Sequence, residues 1–94
     1  MNHILIEFYM MNDKLAAARA KIDLLDRRIA ALLARRFALA APLRGLKKNA
    51  TDKAREKKVL ANAKLAAGRK IYAAGAAAVF SEIIRQSKKL QGLK

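Results

Sequence analysis

Ninety-four residues, no cysteine and a formal net charge of +14 bound the answer before any pattern is read. They predict one small domain, near the lower limit for burying a full core without help. Disulfides and thiolate metal sites are excluded and a reducing, cytoplasmic compartment is the natural reading, while the charge points to polyanions or small anionic substrates. Only seven residues are acidic, so their positions carry information. Alanine is abundant and proline occurs once, which favours helix throughout. No apolar run approaches the ~20 residues needed to span a bilayer.

The opening run Ile4-Leu5-Ile6-Glu7-Phe8-Tyr9 lacks the basic start and small-residue cleavage site of a signal peptide. Residues 1–12 are expected to form an extension, flexible or loosely docked, with the lone His3 incidental. Asn12 or Asp13 can cap a first helix. The apolar pattern carries that helix to about Lys48, about 36 residues and ~54 Å long, which is more than the rest of the chain can cover. Ile22, Leu25, Ile29, Leu32, Leu39, Leu43 and Leu46 make a heptad seam. Arg36 sits in the seam where leucine is expected, and Arg19 and Lys47 lie one step beside it. Pro42, inside the pattern, predicts either a kink near residues 38–42 or a true break.

After the polar connection Asn49-Ala50-Thr51, Thr51 or Asp52 can cap a second helix reaching about Ala67, with Gly68 as its stop. Asp52, Glu56, Val59 or Leu60, and Ala63 share one face. A third helix is expected from about Ile71 to Leu90, with Phe80, Ile84, Ser87 and Gln91 on one stripe. The small residues from Ala73 to Ala78, Gly75 among them, suit close helix packing. Lys88, Lys89 and Lys94 read as a solvated tail. The fold class is all-α, one long helix followed by two shorter ones.

Each of the three apolar stripes turns polar at one place without leaving its face: at Arg36, at Asp52 and Glu56, and at Ser87 and Gln91. A buried charge without partners costs several kcal/mol, so such positions converge on one another or on a ligand. A register-specifying residue of a coiled coil is the other reading of Arg36. Arg36 and Lys47 are eleven residues apart, about three α-helical turns and ~16 Å, facing the same way. Arg19 lies ~25 Å before Arg36 along the axis, too far to join them in its own chain. Two copies of the helix packed antiparallel about residue 30 bring the partner's Arg19 opposite residue 41 or 42. The same pairing covers the overlong helix, so a homodimer with a shared cationic pocket is expected.

The ordered motifs Arg19-x-x-Ile22-Asp23-x-x-Asp26, Leu32-Leu33-x-x-Arg36, Lys47, Asp52-x-x-Arg55-Glu56 and Phe80-x-x-Ile83-Ile84-x-x-Ser87-x-x-x-Gln91 resemble chorismate mutases of the all-helical class. The resemblance covers residues 15–91 and implies an intertwined antiparallel homodimer of three-helix chains, the enzyme domain being residues 13–94. It implies that Arg36 and the partner's Arg19 bind the two carboxylates of chorismate, while Lys47 and Gln91 hydrogen-bond the ether oxygen. It further implies that Glu56, with the backbone near Asp52, holds the ring hydroxyl, and that Ser87 and Arg55 add to the carboxylate wall. Asp23 and Asp26 match the pattern in a structural role. The reaction so implied, chorismate to prephenate in aromatic amino-acid biosynthesis, needs no cofactor and no metal. It needs a flexible substrate held in a compact chair and charge stabilised on an oxygen.

Pro42 departs from the family pattern, and a large kink there would misplace Lys47. The basic excess either speeds capture of a dianion or serves a second, polyanionic partner. Isochorismate pyruvate lyase, on the same fold, is the nearest alternative activity, and the Arg55-Glu56 pair favours the mutase. A basic helical nucleic-acid-binding protein is a second alternative, set against by only five aromatics and by cations lying in the apolar seam. A coiled-coil module without substrate leaves Glu56, Ser87 and Gln91 unexplained.

Overall fold

The computed structural model describes residues 3–46 and 52–92. The elements are α1 (His3–Ala40), a 3-10 segment (Ala41–Leu46), α2 (Lys53–Ala66) and α3 (Lys70–Leu90), with no strand among the described residues. The chain divides into two units, Met1–Arg35 and Arg36–Lys94.

The first unit holds α1 up to Arg35. Neither glycine nor proline occurs before Pro42, so nothing stops the helix at Asn12 or Asp13. α1 already includes His3, and the expected cap lies inside it: residues 3–12 form its exposed first turns. Every described residue from His3 to Leu32 is exposed. The seam residues Ile22, Leu25, Ile29 and Leu32 are each more than half exposed, an apolar face left open along the first unit.

The second unit begins with the last turn of α1. The expectation that α1 runs on to Lys48 is corrected here: the α-helix ends at Ala40. Pro42 has no N–H to donate to residue 38, its ring clashes with that carbonyl, and it pushes Ala41 out of α conformation. The chain tightens into the 3-10 segment instead, in whose first turn a missing donor costs little. The outcome is a change of helix type at Pro42. The α-helical phase that related Arg36 to Lys47 therefore stops at Ala40, and Lys47 itself lies outside the described residues.

α2 starts as expected. The Asp52 carboxylate accepts from the Arg55 N–H at 2.9 Å, an N-cap that satisfies one of the orphan donors of the first turn. α2 stops at Gly68, whose φ of 78° is the left-handed conformation glycine adopts without strain. α2 packs on α3 through half-buried Val59 and Leu60 and buried Ala63. α3 answers with Ala73, Ala76, Ala77, Phe80, Ile83 and Ile84, spaced by threes and fours as one helical face requires. Gly75 is off that face, exposed, with open space where a side chain would be, so the close approach expected of it does not occur within this chain. On the solvated side of α3, Arg85 and then Gln86 donate to Glu82 and hold its carboxyl down at about 2.

The buried apolar residues among those described are only Ala40, Ala63 and Ile83, and no large side chain is fully buried. That is a thin core.

Candidate active site

The polar positions on the three stripes converge. Arg36, Asp52, Arg55, Glu56, Ser87 and Gln91 all line one cavity of about 270 Å³ in the second unit. Leu39, Ala40, Leu43, Val59 and Ile84 supply its apolar wall. The volume falls below the ~300–1,000 Å³ of a typical ligand pocket.

Two tertiary hydrogen bonds tie α3 to the end of α1. The Arg36 guanidinium donates through Nη1 to Ser87 Oγ at 2.8 Å, and Ser87 Oγ donates in turn to the Ile83 carbonyl one turn back at 2.8 Å. Ser87 is buried, so its hydroxyl is a fixed acceptor. Arginine has five N–H donors, so Arg36, which lines the cavity, keeps donors beyond the one that anchors it to Ser87. Gln91 is only 3% exposed, and its Nε2 donates to the Ala40 carbonyl at 2.8 Å. The last four carbonyls of an α-helix lack intrahelical partners, and Pro42 withholds a further donor at this place. Gln91 therefore caps α1 from a residue 51 positions away while its amide lines the cavity.

Asp52 and Arg55 are exposed at the rim, with the Asp52 carboxylate engaged as the α2 cap. Glu56, in the first turn of α2, is half-buried. Its Oε1 lies 2.6 Å from Lys88 Nζ. Lys88 was not singled out by sequence reasoning, which placed it in a solvated tail; it is half-buried and lines the cavity. Its place four residues after Ile84 was the available signal. Charged groups in the wall are then Arg36, Arg55 and Lys88 against Asp52 and Glu56, a positive balance suited to a dianion. Arg19 is exposed in the first unit.

A helical domain holding an anchored guanidinium, a carboxylate and a buried amide around one small cavity has the chemistry to take a compact, polar, anionic molecule. The chain belongs to the type II chorismate mutase family, whose model matches residues 18–92. No curated protein and no solved structure matches it significantly. Its function is that of a chorismate mutase, an isomerase. No helix among the described residues is long and apolar enough to cross a membrane.

Proposed function

We propose that this chain rearranges chorismate to prephenate as a homodimer, each site combining the Arg36 cavity of one chain with Arg19 of the partner subunit. The enzyme domain is residues 13–94, with 1–12 an extension, and its setting is aromatic amino-acid biosynthesis in the cytoplasm. The observation that carries the reading is the convergence of Arg36, Ser87, Glu56 and Gln91 on one cavity. The exposed seam of α1 supports the dimer: Ile22, Leu25, Ile29 and Leu32 are 53–59% exposed, and burying that remainder contributes roughly 1–1.5 kcal/mol each to a chain whose own core is thin.

The rearrangement is intramolecular: the ether carbon–oxygen bond breaks as a carbon–carbon bond forms, and no proton changes hands. The protein has two tasks. The first is to hold the side chain over the ring in the reactive chair, which removes most of the entropic barrier. Arg36 and Arg19 of the partner subunit do this by gripping the two carboxylates, with Ser87 and Arg55 shaping the wall and Glu56, near Asp52, accepting from the ring hydroxyl. The second is to stabilise charge on the ether oxygen as its bond lengthens, the task of Lys47 and Gln91. Because both are positioning and electrostatics, fixed donors suffice.

Mixing two defective chains tests the shared site. Arg19→Ala and Lys47→Ala homodimers should each be nearly inactive. Unfolded together and refolded, they form mixed dimers with one pocket that holds both cations and one that lacks both. Random pairing then restores about a quarter of wild-type activity. Activity that stays at the level of the separate variants, with mixed dimers shown to be present, refutes the shared site.

A further inference from the structure

Lys88 has no part in the roles assigned above, yet it stands in the cavity wall. The contact between its Nζ and Glu56 Oε1, at 2.6 Å, joins two side chains that are each about three-quarters shielded from solvent. It links the last turn of α3 to the first turn of α2, where a cation and an anion respectively are favoured by the helix dipoles. Glu56 differs from the other carboxylate of the wall, because Asp52 is committed to capping α2. Glu56 is thus the acceptor that the cavity can offer to a neutral hydroxyl. Its side chain has three rotatable bonds, and only a fixed one presents an oxygen in a constant place. A carboxylate has two oxygens and about four lone-pair sites, so a lysine on Oε1 leaves acceptor capacity for a ligand.

We infer that Lys88 is a positioning residue: by holding Oε1 of Glu56 it aims that carboxylate at the ring hydroxyl of the substrate. The inference rests on Glu56 binding the hydroxyl, as proposed above. The hydroxyl sits on the ring carbon next to the one whose ether bond breaks, but its own bonds neither break nor form, so its contact is carried from the ground state into the transition state. Loss of alignment therefore falls on KM and leaves kcat nearly unchanged.

The test is steady-state kinetics of the full chain with chorismate, read as a double-mutant cycle. Lys88→Met should raise KM roughly tenfold, the scale of a lost charge-assisted hydrogen bond, and keep kcat within about threefold. Lys88→Arg, which keeps charge and donors, should return KM to within about threefold of wild type. In a Glu56→Gln background, Lys88→Met should change KM by less than about twofold, because its target is already gone. Should Lys88→Met not fold, Lys88→Gln is read in the same cycle. Unchanged KM in Lys88→Met overturns the inference, and so does a lowered melting temperature as its sole effect. A tenfold KM effect that persists beside Glu56→Gln also overturns it, showing that Lys88 meets the substrate itself. An inactive wild type, or wild-type KM in Glu56→Gln alone, instead sinks the site assignment on which the inference rests.

Discussion

Gln91→Glu separates catalysis from scaffold in one side chain. The exchange is nearly isosteric, but a carboxylate has no donor. At neutral pH it would face the Ala40 carbonyl across the 2.8 Å now spanned by Nε2, two acceptors in contact at a position 3% exposed. Losing that bond and setting two acceptors face to face costs about 1–3 kcal/mol, and desolvating the charge adds to it. Arg36 and Lys88, in the same cavity wall, offset part of it, but each is already engaged, with Ser87 and Glu56. A net penalty of about 1.5–3 kcal/mol raises the introduced carboxyl by roughly one to two pKa units from its ordinary ~4.3. The folded variant then binds more protons than the unfolded chain. Its stability is therefore greatest below about pH 4.3 and falls as pH rises toward roughly 5.5–6.5, with no further loss above that. Turnover should follow the same protonation. At pH 7.5 only about 1–10% of the folded variant keeps the proton, so turnover should be down roughly 10- to 100-fold, and it should recover tenfold or more by pH 5 as the donor returns. Chorismate absorbance followed from pH 4.5 to 8, with melting curves at both ends, reads both effects. A ratio of variant to wild-type turnover that is constant across this range refutes the reasoning. Recovery of stability without turnover would make Gln91 a cap of α1 and nothing more.

Lys47→Ala should lower turnover roughly 10²- to 10³-fold as well; a variant keeping more than about a third of wild-type turnover removes Lys47 from the mechanism. Ser87→Ala takes away the acceptor of Arg36 and the back-bond to Ile83. Since alanine is the better helix former, stability should change by less than about 1 kcal/mol while KM for chorismate rises roughly tenfold, which melting curves and kinetics separate. Asp52→Ala removes the α2 cap and should cost about 1 kcal/mol of stability, seen as a lower denaturant midpoint; Asp52→Asn, also a good capping residue, should restore it.

Much of this arrangement was legible in the chain because its signals are local. Asp52 as a cap and Gly68 as a stop depend on backbone groups within a few residues, and α2 and α3 begin and end close to where those signals stand. The convergence of Arg36, Glu56, Ser87 and Gln91 was legible for another reason: a polar residue on an apolar face must find a partner. Signals that needed the third dimension misled. Asn12 and Asp13 are good caps, but a cap starts a helix only where the preceding residues do not already extend it. Pro42 fixes what cannot continue, not what replaces it, and the 3-10 segment followed from geometry that periodicity does not carry. Lys88 beside Lys89 looks like any basic helix end, and its partner Glu56 is on another helix. Gln91 was read for its donor, while its hold on Ala40 depends on where α1 ends, itself set by Pro42.

That last dependence explains why the site sits where it does. A helix end is the one place in an all-α domain where backbone carbonyls need partners from outside the helix. Here α1 is cut short by Pro42, α3 reaches back to its end, and the side chain that satisfies Ala40 is already a buried, fixed amide. Arg36, one turn earlier on α1, is anchored by Ser87, one turn earlier on α3. The bonds that hold the helices together thus also fix the donors that the proposed mechanism uses. For a rearrangement without proton transfer, such preorganised donors are the main thing a protein can supply. On the proposed mechanism stability and catalysis share residues, and substitutions are informative only when, as with Gln91→Glu, a second variable such as pH pulls the two apart.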